Sequence, residues 1–280
     1  MGNFVGHVIP GSMFLFFGLW WSWGVARLAG GRGVRAERRT GRMRVALPPT
    51  SPGALPLDPL IRLALSMGGA AIELHSALGY PRLSIPDIQH VTMYAVFALA
   101  ATADLLLHYR CPIPQGTDYF LSSLCFISEG LLFYFHIQHQ GPFEQKIHSL
   151  LLVAVFGCLV ATLLEAGKPD SLPLKIHRAF WVTVQGTWFY QTGFLIYSPL
   201  PGSSHPWSSG GGGMEDGMWA SVFFVTHLIF VCLLQALIII PILRRAQEKS
   251  PSYLHLNGTQ SEWERKEEDE MDLLESTSPA

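Results

Sequence analysis

Seven long apolar runs, each cut off by proline, glycine or charge, constrain this chain more than any other feature. They lie at about 5–27, 58–79, 88–108, 118–139, 145–166, 174–198 and 217–243. Each is long enough to cross the roughly 30 Å of hydrocarbon in a bilayer at about 1.5 Å of rise per helical residue. Backbone N–H and C=O groups find no water in lipid, so such runs fold as helices and not as open strands. The joins carry Pro81 and Pro86, Pro112 and Pro114, Gly141 with Pro142, and Pro199 with Pro201. Only 14% of the residues are charged, against about a quarter in a soluble domain, so the bilayer is the expected solvent. The expected fold class is all-α: a polytopic membrane protein, a seven-transmembrane helix bundle, over residues 1–245. Residues 246–280 are expected to form a disordered, acidic, cytoplasmic tail.

Charge sets the expected orientation. The flank MGNFVGHVIP ahead of the first run holds no Lys or Arg, whereas Arg27, Arg32, Arg35, Arg38, Arg39, Arg42 and Arg44 follow. A cleaved signal peptide carries its positive charge in front of the apolar region. The first run therefore reads as a retained anchor with its N-terminus outside or lumenal. Counting on through seven spans, all of the 19 Lys and Arg except Arg82 and Lys146 fall in or beside cytoplasmic segments, as the positive-inside rule requires. The sequon Asn257-Gly258-Thr259 then lies on the cytoplasmic side, out of reach of glycosylation. The stretch 202–217, with Gly210–Gly213, has the composition of a flexible loop. Cys111, Cys125, Cys158 and Cys232 have no metal-pair spacing and read as small hydrophobes; Cys111, just beyond a span, suits S-palmitoylation.

Against this apolar background the ionisable residues stand out, because such groups inside a membrane are costly and face a bundle interior or a cavity. The stretch Ser122–His148 carries Glu129, His136, His139 and His148. Read as a helix, its Ser122, Cys125, Glu129, His136 and His139 recur on one face. Depth along the other spans puts His7, Glu73, His75, His90 and His148 in the outer half as well, with Glu129 and His227 nearer the midplane. Gln185, Trp188 and Thr192 share a face of the sixth span, and Asp104 alone lies toward the cytoplasm. The expectation is one connected polar cluster in the outer half. Interhelical hydrogen bonds would account for it. So would a divalent metal such as zinc, with His7, His90, His136, His148 and His227 as candidate ligands, or a proton relay.

Four motifs in order carry a family resemblance. GHVIPGSMFLFFGLWWS, QHVTMY, EGLLFYFH followed by IHSLLL, and QGTWFYQTGF make the chain resemble the transmembrane protein 45 family, over roughly residues 1–245. That family includes an epididymal branch, to which this chain looks similar. The resemblance implies a multi-pass protein of Golgi and endolysosomal membranes with no established catalytic activity. It carries over His7, Glu73, His90, Asp104, Glu129, His136, His148, Gln185, Trp188 and His227. Two departures stand beside it. The family's His-x-His ending of the fourth span is here Gln138 followed by His139, and Gln89 stands where the family often has a further His.

The tail adds two short signals. Asp269-x-x-x-Leu273-Leu274 resembles an acidic dileucine signal, and Tyr253-Leu254-His255-Leu256 a tyrosine-based one; both are read by clathrin adaptors. The expected partners are thus the lipid bilayer and clathrin adaptors, with no nucleic acid. The expected location is Golgi, endosomal, lysosomal or plasma membrane. Three functions fit the residues: a non-catalytic protein of trafficking or membrane organisation; a metal-dependent seven-span lipid hydrolase with Glu129 or Glu73 as general base; and an ion or proton pathway with Asp104 as a second station. A G-protein-coupled receptor is disfavoured, because its usual third-span and seventh-span motifs are absent. The first function is favoured, and catalysis stays open.

Overall fold

A computed structural model describes residues 4–29, 55–79, 85–138, 140–197 and 214–249. Among them are seven helices: α1 (Phe4–Ala29), α2 (Leu57–Leu78), α3 (Ile85–His108), α4 (Thr117–Ile137), α5 (Pro142–Gly167), α6 (Leu172–Ile196) and α7 (Met214–Lys249). Each coincides with one apolar run to within a few residues, except that α7 continues past Pro241 and residue 245 to Lys249. Backbone bonding does not stop where the apolar side chains do, so a helix can outlast its hydrophobic stretch. His139, the arginine-rich 30–54 segment, and the tail residues Tyr253, Leu256, Asp269, Leu273 and Leu274 lie outside the described residues.

Local chemistry explains the boundaries. Pro142 stands at the start of α5, where its missing N–H costs nothing. Gly116 precedes α4 in the left-handed region (φ 89°), which a side chain would strain. Lys168 closes α5 by donating its N–H to the Leu164 and Glu165 carbonyls. Helices α1, α3, α4, α5 and the 217–246 part of α7 are long and apolar enough to cross a membrane. The other two, α2 and α6, have the length but carry more polar residues, and those of α6 lie at the centre of the bundle.

Side-chain pairs between helices fix the topology. Trp21, late in α1, donates to Asp58, early in α2, and Arg62 reaches Asp104, late in α3. Tyr119, early in α4, meets Glu165, late in α5, and Glu165 meets Lys175, early in α6. At the other end His7 of α1 meets His148 of α5, and Glu73 of α2 meets His90 of α3. Neighbours in sequence thus run antiparallel. Helix α7 runs alongside α1, tied by Gln235 to Ser22.

Small residues let α1 and α6 approach closely, the usual means of association in lipid, where apolar surface alone drives nothing together. A Cβ on Gly18 would lie 2.7 Å from the Thr183 nitrogen, and one on Gly186 would lie 2.8 Å from the Leu15 Cα. Helix α6 also packs on α5 and α7, whereas α1 and α2 pack only weakly despite being consecutive. The core beside α6 holds Ile147, Leu151, Val184, Trp188, Phe224 and Val231. Outward faces are apolar too, with Phe156 on α5 and Ile229, Leu233 and Leu237 on α7 exposed. An apolar exterior around a core stitched by polar pairs is that of a multi-pass membrane protein.

Candidate functional site: a polar cleft between six helices

The end of the bundle carrying His7 opens into a cleft of about 820 Å³, counting its open mouth. His7, Glu73, His90, Glu129, His136 and His148 all line it, together with Tyr94, Phe133 and Tyr197. Six candidate residues from five helices therefore share one space. Other sequence candidates do not. Asp104 sits at the opposite end, Gln185 stands behind Glu129, and His227 packs edge-on against Trp188 at 5.4 Å between ring centroids. His75 does not line the cleft.

Within the cleft the groups occur mainly as pairs. His7 Nε2 lies 3.3 Å from His148 Nε2, and His148 Nδ1 lies 2.7 Å from the Glu144 carbonyl oxygen. A carbonyl only accepts, so Nδ1 carries the proton. In the singly protonated His148 ring Nε2 is then the acceptor and His7 Nε2–H the donor. The pair joins α1 to α5. His90 Nδ1 is 3.3 Å from Glu73 Oε2, joining α2 to α3, and the His90 and His136 rings lie 5.9 Å apart. Phe133 stacks on His136 and also touches His148, so an apolar ring lies between these two imidazoles.

Glu129 has a different setting. It is buried, and its Oε1 accepts from Gln185 Nε2 at 2.7 Å, joining α4 to α6. Gln185 Oε1 in turn accepts from the Cys158 thiol at 3.1 Å. The second carboxyl oxygen, Oε2, is buried without a hydrogen-bond partner. Among the described residues no three of His, Cys, Asp and Glu stand close enough together to hold a metal ion. The candidate ligands His7 and His148 form one pair, His90 and His136 share another wall, and His227 lies apart.

A second polar layer, at the opposite end, has members that escaped the sequence reading. Arg62 bridges Asp58 and Asp104 at 2.6 Å each, and Trp21 Nε1 holds the other Asp58 oxygen at 2.7 Å. Glu165 is buried and gathers Lys175 at 3.1 Å, Arg178 at 3.1 Å and the Tyr119 hydroxyl at 3.1 Å. Arg178 also lies over the Trp21 ring, which links the two clusters. Three carboxylates and three cations balance. The one legible signal was the Asp58-x-x-x-Arg62 spacing, which brings two charges onto one helical face. The others read as ordinary flanking charges of the spans.

Residues 115–240, spanning α4 to most of α7, match a family of unknown function (DUF716). The chain is 25% identical over 258 residues to transmembrane epididymal protein 1A of Mus musculus, covering 84% of this chain and 79% of that protein. It is 27% identical over 162 residues to transmembrane epididymal protein 1 of Homo sapiens, covering 56% and 55%. The Rattus norvegicus protein of that name is 24% identical over 258 residues, covering 84% and 79%.

Proposed function

We propose that this chain, a member of the transmembrane protein 45 family to which the transmembrane epididymal proteins belong, is a non-catalytic seven-span protein of secretory and endolysosomal membranes. Its polar cleft holds the helices in register. One observation carries this reading: three side-chain pairs at the cleft run between helices. His7–His148, Glu73–His90 and Glu129–Gln185 tie α1 to α5, α2 to α3 and α4 to α6, so six helices each contribute one partner. A bond of this kind is worth about 1 kcal/mol in lipid, and each opposes rotation of the two helices it joins. The opposite layer works alike through charged groups.

In this reading the N-terminus is outside or lumenal and the C-terminus cytosolic, supported by the distribution of Lys and Arg. The tail then presents Tyr253-x-x-Leu256 and Asp269-x-x-x-Leu273-Leu274 to clathrin adaptors, the step that would set the organelle. Metal analysis of the purified full chain tests the non-catalytic assignment. The expected result is less than a tenth of a zinc per chain, on the order of adventitious loading, since a resident zinc takes three or four protein ligands. Stoichiometric zinc lost on His7→Ala or His148→Ala would overturn it and favour the hydrolase.

A further inference from the structure

At the end opposite the polar cleft, α1 and α7 enclose a small pocket lined by Trp23, Arg27, Ile242 and Arg245. We propose that this pocket binds the phosphate head group of an anionic phospholipid, whose acyl chains continue along the outer faces of α1 and α7. The assignment rests on the helices lying in a bilayer, not on which side the termini occupy.

Three other cations at this end are matched: Arg62 by Asp58 and Asp104, Lys175 and Arg178 by Glu165. The pocket has two guanidinium groups, and among the described residues no carboxylate lines it. Two arginines converging from adjacent helices match the several acceptor oxygens of a phosphate, which takes charge-assisted bonds from guanidinium donors. Basic pockets between membrane helices are the usual seats of anionic head groups.

Unused donors supply a second, independent observation. Arg27 Nε is buried and has no hydrogen-bond partner, although its guanidinium carbon lies 4.7 Å over the Trp23 ring. Two turns back on α1, Trp20 Nε1 is also buried and unpartnered. Buried donors in folded proteins are nearly always satisfied, so each one left over asks for a ligand.

Finally, the neighbouring surface suits chains. Phe16, Trp20, Trp23 and Arg27 fall on one helical face at spacings of four, three and four. Phe16 and Trp20 rings stack at 5.4 Å, Trp20 and Trp23 lie 6.2 Å apart, and Phe16 is 43% exposed. On α7 Leu237 and Ile240 are exposed beside the same end. Indole rings favour the head-group level of a bilayer, with apolar residues beneath them. A free phosphate would use the arginines and leave this stripe unexplained.

Native mass spectrometry of the full chain, delipidated and returned to nanodiscs of phosphatidylcholine with or without phosphatidylserine, reads the binding directly. The wild type should retain phosphatidylserine over phosphatidylcholine. Arg27→Gln and Arg245→Gln should each lower that retention about fivefold, and the double variant about 25-fold. Lys168→Gln, at the same end but outside the pocket, should leave it unchanged; an equal loss there would reduce the effect to general surface charge and overturn the site. No preference in the wild type, or full displacement by inorganic phosphate, would also overturn it. Should the double variant not fold, dibrominated phosphatidylserine should quench the wild-type tryptophan fluorescence more than dibrominated phosphatidylcholine does. Trp20→Phe/Trp23→Phe should remove that excess, and an undiminished excess would refute the proposal.

Discussion

The Glu129–Gln185 contact allows the structural reading to be tested at one bond. Gln185 is wholly buried and Glu129 is 2% exposed, so neither can turn to water when its partner is removed. Gln185→Leu keeps the side-chain volume nearly constant. It takes the donor from Glu129 Oε1 and the acceptor from the Cys158 thiol. Stranding buried groups costs about 1–3 kcal/mol each, whereas replacing both partners by apolar groups is close to neutral. Gln185→Leu should therefore destabilise the bundle by about 2 kcal/mol, a roughly 30-fold shift in the unfolding equilibrium. Glu129→Leu added to it should restore part of the loss, with a coupling between about 0.6 kcal/mol, the average for polar pairs in lipid, and about 1.7 kcal/mol, the maximum. Glu129→Gln keeps an acceptor oxygen facing Gln185 and should cost less than about 1 kcal/mol. Reversible unfolding in mixed micelles of increasing dodecyl sulfate, followed by helicity, measures the wild type, both leucine variants singly and together, and Glu129→Gln. Additivity of the two leucine changes to within about 0.3 kcal/mol would mean the pair does not hold α4 to α6. A Glu129→Gln protein less stable than Gln185→Leu would show that the carboxyl group itself, and not the hydrogen bond, is needed.

Four other expectations follow, two from the packing and two from the sequence. Arg62→Met strands Asp58 and Asp104 and should cost about 3–5 kcal/mol in the same unfolding assay, with Asp104→Asn regaining part of it; an effect under about 1 kcal/mol would mean water already screens the cluster. Gly186→Leu drives a side chain into the α1 backbone at Leu15, and size-exclusion chromatography should show loss of the folded species, whereas Gly68→Leu, where a Cβ meets nothing within 4 Å, should elute normally. Epitope tags at either end should place residue 1 outside or in the lumen and residue 280 in the cytosol, and glycan on Asn257 would reverse the orientation. Leu273→Ala with Leu274→Ala should move the protein from endolysosomal membranes to the cell surface, and an unchanged distribution with Tyr253→Ala also present would leave the tail without a sorting role.

The seven helices were legible in the sequence because the cause is local. A run of apolar residues long enough for the bilayer must satisfy its own backbone, and a helix does that without reference to any other segment. Position along each helix was legible as well: counting residues from the run ends placed His7, Glu73, His90, His136 and His148 toward one end and Asp104 toward the other, where their contacts also lie. Rotation about each helix axis was not. Whether His227 turns into the cleft or behind Trp188, and whether Glu129 meets an imidazole or Gln185, depends on how neighbouring helices pack.

That packing is decided where backbones touch, at Gly18 against Thr183 and Gly186 against Leu15, contacts more than 160 residues apart in the chain. Charges near span ends show the same limit. From sequence alone Glu165, Lys175 and Arg178 are indistinguishable from solvated flanks that orient the protein, since both roles place them at the same depth. Only the tertiary structure turns them inward, because α6 runs through the centre of the bundle and carries its first turns into the space between Tyr119, Glu165 and Trp21. Composition and spacing determined what each segment is and how deep its polar groups lie; close packing of glycine-bearing faces decided which of those groups meet.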